Sequence, residues 1–258
     1  MLTRRIEEAA LNAWPALQQM LYDGWLLRFA EGFTKRANSV TPLYDAHIEL
    51  WQKIAFCEGC YRERGLPPIF RLTPFAQPGN LDRALAERGY ALRDPTWTLW
   101  LDLSTWRGPP SSMTPYEERL EPWLALYARF SGVGTDGAAW AQQRVHGQLL
   151  SMIPGRRLLA SVADGECTVG CGLGVLQDDL FGLFDIIIDP ARRCRGHGTR
   201  LVAGMLSWAA RQGARLAYLQ VTEANTAAQR LYRRLGFAAL YRYWYRIAEP
   251  LRCIQRSS

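Results

Sequence analysis

The sequence predicts an α/β protein in which strands and amphipathic helices alternate, and three observations predict it. An apolar run from Phe184 to Ile188 stops at Pro190 and passes through a basic loop into an amphipathic helix. Residues 215–221, Arg-Leu-Ala-Tyr-Leu-Gln-Val, read as a buried strand with a second helix behind it. Trp97 to Leu103 alternates apolar and polar positions, as a half-buried strand does. Composition agrees: of 258 residues 48% are hydrophobic and 21% charged, and ten tryptophans exclude a disordered chain.

In the first half, Gly24 to Val40 carries polar groups (Arg28, Lys35, Arg36, Asn38, Ser39) between apolar positions. It reads as a hairpin with a polar outer face, or else as a surface that reads a substrate. A helical pattern covers 49–63, and Leu81 to Arg88 reads as a helix ended by Gly89 and Tyr90. The Pro- and Ser-rich stretch 104–114 marks a boundary between a region 1–106 and a region 115–249. In the second region helices are expected near 115–130 and 137–152, and strands near 156–163, 167–175 and 181–188. A helix over 199–212, the strand 215–221, a helix from Asn225 to Gly236 and a last strand at 238–247 follow. Asn225 is an N-cap residue type and Gly236 stands where a C-cap glycine would. Gly170, Gly172 and Gly174 have no helix behind them and read as a bulged strand.

Strand, glycine-rich turn and helix start together make an anion site. Gly196 and Gly198 lack Cβ, which lets a ligand approach the backbone. The first helix amides have no intrahelical partner, and the helix dipole adds partial positive charge. Arg192, Arg193 and Arg195 add full charges. The ligand class is phosphate or pyrophosphate. A P-loop is excluded because no lysine follows either glycine. The dinucleotide fingerprint is excluded because Leu201 stands three residues after Gly198.

What fits is Arg193-x-x-Gly196-x-Gly198 directly after Ile188, Asp189 and Pro190, with Asn225, Tyr232, Gly236 and Phe237 downstream. This resembles the signature of the GCN5-related N-acetyltransferase (GNAT) superfamily. The resemblance covers about 115–249 and is sharpest over 184–237. It implies an α+β fold with a mixed, mostly antiparallel sheet flanked by helices, and acetyl-CoA as cosubstrate with no metal. The backbone of Ile186 and Ile188, on a strand that splays from its neighbour, would hold the pantetheine arm. Amides of Cys194, Arg195, Gly196, His197, Gly198 and Thr199 would hold the pyrophosphate, with Arg193 adding charge and Asn225 completing the cofactor site. Asn225 and Tyr232 are seven residues apart, two helical turns, and share a face.

The resemblance also implies a reaction: an amine attacks the thioester directly, and Tyr232 protonates the leaving thiolate. Asp185 and Glu223 are the nearest carboxylates for the substrate ammonium. The branch acting on ribosomal-protein N-termini has Leu-Glu-Val where this chain has Leu219, Gln220 and Val221, so that substrate is not implied. A small-molecule amine or a peptide N-terminus is the expected acceptor. The missing Glu leaves a non-catalytic acyl-CoA sensor as the alternative function. The first half echoes the order at the end of the second but lacks both the glycine loop and the tyrosine, with Leu85 opposite Tyr232. It is either a degenerate GNAT-like repeat or an accessory domain, and one cofactor per chain is expected, in the C-terminal half.

Charge and cysteines bound the rest. Net charge is +7, and from Pro190 onward thirteen Arg face only Glu223 and Glu249. Coenzyme A phosphates account for such a basic end more simply than nucleic acid, since no basic run is interleaved with aromatics. Cys57 and Cys60, and Cys167 and Cys171, fall in a helix and a strand rather than in knuckle turns, and are expected to be free buried thiols. No apolar leader or 18-residue apolar run occurs, so a cytoplasmic monomer or homodimer is expected.

Overall fold

A computed structural model of the chain describes residues 2–45, 47–108, 113–115, 119–132, 134 and 136–248. Packing divides the chain into a larger unit, 1–15 with 96–241, and a smaller unit, 16–95 with 242–258. A single cut near 104–114 is not how the contacts divide; residues 109–112 of that stretch lie outside the described residues. The first helix packs with the second half, and the last strand ends in the smaller unit.

In the smaller unit, β1 (Gln18–Tyr22) and β2 (Trp25–Phe29) form an antiparallel hairpin. Asp23 and Gly24 make its turn with φ of 42° and 80°, a two-residue loop that favours such residues. β3 (Val40–Pro42) pairs antiparallel with β2, so the Gly24–Val40 stretch is a hairpin. Its polar groups divide: Lys35 is exposed and Arg36 half-buried, but Arg28, Asn38 and Ser39 are buried rather than on an outer face. Asn38 explains itself by bonding, since its Oδ1 accepts from Ala30 N (2.7 Å) and Gly32 N (3.0 Å). α2 (Leu50–Arg62), β4 (Ile69–Leu72), α3 (Leu81–Glu87) and the start of β5 (Tyr90–Asp102) follow. β4 is parallel to β3 at Val40↔Phe70 and antiparallel to residues 244–247 of β11 (Ala238–Ala248). Trp25, Leu27, Ile54, Tyr61, Phe70 and Leu85 centre the core of this unit.

The larger unit holds α1 (Leu2–Ala13), β5 from Thr96, β6 (Met113–Pro115), α4 (Leu120–Ser131) and α5 (Gly137–Ser151). β7 (Arg156–Asp164), β8 (Cys167–Gln177), β9 (Leu180–Ile188), α6 (His197–Arg211), β10 (Leu216–Thr222), α7 (Thr226–Arg234) and the first residues of β11 complete it. The strand order is β5-β10-β9-β8-β7-β6, antiparallel except at β9 and β10. The helix expected from Pro115 starts instead at Leu120, because Met113–Pro115 is recruited as a strand beside β7. It lies at the sheet edge, where a proline without an N–H is tolerated. α6 opens two residues earlier than expected, at His197. Its Leu201, Val202, Met205, Leu206 and Ala209 are buried on one stripe against Leu158, Phe181 and Leu183. Full burial of each of the larger of these side chains contributes about 1.5–3 kcal/mol before the entropy of ordering.

The bulge expected at Gly170, Gly172 and Gly174 falls elsewhere: between Cys171 and Leu173 the extra residue lies on β9, and the extra residue of β8 is Val169, against β7. Cys57 and Cys171 are buried free thiols, but Cys167, at the mouth of its strand, is exposed, and so is Cys194. Among the described residues, no helix is long and apolar enough to cross a membrane.

Candidate active site

The parallel ladder between β9 and β10 is short. It runs from Leu180↔Leu216 to Leu183↔Leu219 and stops, although β9 continues to Ile188 and β10 to Thr222. Beyond Leu183, β9 pairs only with β8. The two strands therefore part, leaving the β9 edge from Phe184 to Ile188 without a ladder partner on the β10 side. The cause lies in β9 itself. Leu173 pairs with Phe184, but Cys171 pairs with Ile187, so β9 holds one extra residue there. Asp185 takes up that extra length in a left-handed conformation, φ 48°. For an L residue this costs on the order of 1–2 kcal/mol.

The bulge decides which way side chains point. Phe184 packs against Trp14 and Tyr218, and the Asp185 carboxylate reaches His146 of α5. Ile186 and Ile188 then turn to the α6 core. Gly172 and Gly170 make room for them: a Cβ there would lie 2.5 Å from Ile186 Cδ1 and 2.3 Å from Ile188 Cδ1.

β9 feeds the basic loop. Asp189 caps a 3₁₀ turn at Pro190–Arg192 through Ala191 N (2.9 Å). Arg193 donates its Nε–H to Ile188 O (3.3 Å), folding the loop back on the strand. Cys194 is exposed with φ 61°, as are Arg195 and Thr199. Gly196 is the helix N-cap with φ 82°, and no side chain caps α6. The first bond into the helix is Arg200 N to Gly196 O (3.0 Å), so the amides of His197, Gly198 and Thr199 have no intrahelical acceptor. A Cβ on Gly196 would meet nothing within 4 Å, whereas one on Gly198 would lie 2.9 Å from Leu231 of α7. Gly196 thus serves backbone conformation and access, and Gly198 serves helix packing. The His197 ring is buried, its Nε2 3.6 Å from Asp164, so only its backbone faces the loop.

The far side of the gap is built from β10 and α7. Asn225 Oδ1 caps α7 through Ala228 N (3.1 Å). Gln229, unremarkable in sequence, donates Nε2 to Thr222 O (3.1 Å) and Glu223 O (2.9 Å) and so pins the turn. Gly236, φ 93°, ends the helix: Phe237 N reaches Tyr232 O (3.0 Å) and Gly236 N reaches Arg233 O (3.0 Å). This end motif seats the Tyr232 ring edge-on against Phe237, with centroids 5.8 Å apart. Tyr232 is buried, and burial pushes its phenol up to about 12. The two-turn spacing does not give Asn225 and Tyr232 a common environment: Asn225 is exposed at the cap and Tyr232 is in the core. Glu223 is half-buried in the turn after β10, and Gln220 is half-buried opposite Thr98.

His146 is the residue that sequence reasoning missed. A single histidine on a helix carries no motif, and only the fold brings it to Asp185. Its Nε2 lies 2.9 Å from Asp185 Oδ2, with side-chain exposures of 4% and 12%. Trp14, Trp123 and Tyr127 enclose its ring at 5.7, 6.2 and 4.9 Å.

Parted parallel strands leading to an uncapped, arginine-flanked helix start suit a ligand with an extended amide-bearing arm and a pyrophosphate. A strand edge bonds amides, and helix amides bond phosphate. The family model described as "Probable histone acetyltransferase Rv0428c C-terminal" matches residues 3–246. The "Uncharacterized N-acetyltransferase YobR" of Bacillus subtilis is 30% identical over 95% of this chain and 98% of its own. The "Probable histone acetyltransferase Rv0428c" of Mycobacterium tuberculosis is 28% identical over 91% of this chain and 70% of its own. Among solved structures, a GCN5-related N-acetyltransferase from Kribbella flavida shares the fold with a TM-score of 0.68 at 17% identity, covering 95% of each chain. The chain therefore belongs to the Rv0428c C-terminal family within the GNAT superfamily, and it is an acetyltransferase.

Proposed function

We propose that the protein transfers an acetyl group from acetyl-CoA to a primary amine, binding one cofactor per chain in the larger unit. The observation that carries this reading is the parting of β9 from β10 after Leu183, directly upstream of the uncapped α6. Acetyl-CoA supplies the activated acyl group as a thioester. Around it, the backbone of Ile186 and Ile188 holds the pantetheine arm. Amides of Cys194 to Thr199 hold the pyrophosphate, with Arg193 and Arg195 adding charge and Asn225 flanking the arm. Asp185, on the parted edge, accepts the proton of the substrate ammonium, and Glu223 is the second candidate. Tyr232 gives its proton to the leaving thiolate. Its burial holds the phenol protonated, as a proton donor must be before transfer, while the raised value makes it a weaker acid than a free tyrosine.

The acceptor class remains a primary amine, small or at a peptide N-terminus. The test combines binding and turnover. Acetyl-CoA at about 1 mM is expected to raise the melting temperature. Thiol release with a panel of amines is expected in the wild type. Tyr232→Phe should lower kcat by about 10-fold to 100-fold while leaving acetyl-CoA affinity unchanged. No thermal shift would overturn cofactor binding. Binding without release on any amine would favour the sensor reading, for which Gln220 in place of a glutamate is the supporting observation.

A further inference from the structure

His146 sits outside every motif, yet it contacts the most strained point of β9. Asp185 is the residue that puts the extra length into the strand, and it does so with φ 48°, a conformation L side chains rarely adopt. Such a conformation persists where the surroundings over-determine it. Here the surroundings are the His146 imidazole, hydrogen-bonded to Asp185 Oδ2 at 2.9 Å, and the cage that holds that imidazole. The cage is itself fixed: Trp123 donates its indole N–H to Ala160 O (3.1 Å). Trp14 touches both partners' surroundings, tilted on His146 and stacked on Phe184. The titratable groups around the pair are Tyr127 from α4 and Cys171 from β8. Burial, with the Asp185 charge behind it, keeps the Cys171 thiol protonated.

We infer that His146 is a positioning residue for the pantetheine arm: by bolting Asp185 in the left-handed conformation, it sets the register in which Ile186 and Ile188 present the free edge of β9. The inference rests on the proposed cofactor reading. Without the bolt, Asp185 relaxes toward extended backbone and the bulge migrates or closes. Ile186 and Ile188 then leave the spaces over Gly172 and Gly170. The α6 N-terminus lies beyond Pro190 and is tied to β9 only through Arg193 and the Ile188 contacts, so it depends on the bolt less directly than the edge at Ile186 and Ile188 does. The arm and the pyrophosphate are thus held by separable devices.

The test compares two ligands on the full chain. CoA engages both devices, and ADP engages the helix start alone. His146→Ala is expected to weaken CoA by about 10-fold or more and ADP by less than about 2-fold in titration calorimetry. His146→Gln, which keeps a donor for Asp185, is expected to recover most of the CoA affinity. In Asp185→Gly, where the left-handed conformation carries no steric cost, adding His146→Ala is expected to change CoA affinity by less than about 3-fold. Equal weakening of both ligands, or unchanged CoA affinity in His146→Ala, would overturn the inference. Amide hydrogen exchange at 185–188 tests the bolt with no ligand present. It should speed up about 10-fold in His146→Ala, and an unchanged rate would overturn the bolt. If the wild type bound neither ligand, the cofactor reading would fail while the exchange result still judged the bolt.

Discussion

Each unit contains a strand, a helix, a parallel strand, a second helix and a further strand in that order, and the two differ in how the first of those helices begins. In the smaller unit, β3, α2, β4, α3 and β5 follow in order, with β3 parallel to β4. In the larger, β9, α6, β10, α7 and β11 follow in order, with β9 parallel to β10. Both crossover helices end in a left-handed glycine, Gly65 and Gly213. The difference lies where each helix begins. α6 opens on Gly196 with no side-chain cap and arginines in its loop. α2 opens on Glu49, whose carboxylate accepts from Trp51 N (2.8 Å) and Gln52 N (3.0 Å). Asp23 adds a second carboxylate that takes His47 N (3.0 Å), Ile48 N (2.9 Å) and the Lys53 ammonium (3.1 Å). What a phosphate would satisfy, the smaller unit's own carboxylates already satisfy. A strand-helix-strand order therefore does not make an anion site; an order that leaves the helix start without its own anion does.

Importing a carboxylate into the larger unit is the strongest way to break this comparison. Gly196 has open space around its missing Cβ, so Gly196→Asp introduces charge without a clash, and Asp tolerates the left-handed backbone better than most residues. A negative charge within about 5 Å of a pyrophosphate costs on the order of 3 kcal/mol at an interfacial dielectric, or about 100-fold in acetyl-CoA affinity. Gly196→Asn, of the same shape without the charge, should lose less than about 5-fold. Calorimetric titration of the two side by side separates charge from conformation. Equal losses would mean that backbone strain, not the absence of an internal anion, distinguishes α6 from α2.

The same comparison explains what was legible in the sequence. The larger unit's order was readable because each turn carries its own signal: the glycines of the loop, Asn225 as a cap and Gly236 as a stop. Those signals act within a few residues of themselves. The bulge at Asp185 was not readable, because it depends on which β8 residue faces which β9 residue, and period-two alternation breaks where a residue is inserted. His146 was invisible for the same reason, lying 39 residues from its partner. In the smaller unit the polar run around Arg28 to Ser39 looked like an outer face. Burial overturned that for Arg28, Asn38 and Ser39, and for Asn38 the reason is local backbone bonding that a hydropathy pattern does not record. In the first half the helix ended by Gly89 and the strand after it were legible as elements, but the second carboxylate at the start of α2 comes from Asp23, on a turn well upstream.

A middle-sized effect is expected at Asp23. Its carboxyl is held well below the usual carboxylate range, first by the Ile48 amide, then by the His47 amide and Lys53. A carboxyl depressed in the folded state stabilises above its unfolded value of about 3.9 and loses that contribution as pH falls below it. Asp23→Asn should therefore lower the urea midpoint by a constant amount between about pH 5 and pH 8, and the gap to wild type should begin to narrow below about pH 4 and close only as pH falls through the much lower folded-state value. Acetyl-CoA affinity at neutral pH should stay within about 2-fold of wild type, since the proposed site is in the other unit. Urea melts across this range, with one titration at pH 7, decide it. A gap that persists unchanged at pH 3 would assign the loss to side-chain packing rather than to the charge that fills the helix start.

The smallest effect is expected at Glu49, and it asks the sharpest question. Glu49 is exposed, and its contribution is that of an N-cap, so Glu49→Ala should cost about 0.5–1 kcal/mol in stability. Glu49→Gln, which still accepts hydrogen bonds, should cost less. Combined with Asp23→Asn, the substitution strips the smaller unit's helix start of both carboxylates and leaves its amides as open as those of α6. Acetyl-CoA should nevertheless bind with a stoichiometry of one per chain. Among the described residues, β3 pairs with β4 at Val40↔Phe70 and ends two residues later at Pro42, so it offers no free edge as long as that of β9. Free phosphate or ADP binding weakly at α2 in the double variant would show that the carboxylates alone had blocked the anion. A second acetyl-CoA per chain would show that the parted strand is dispensable, and with it the distinction between the two units.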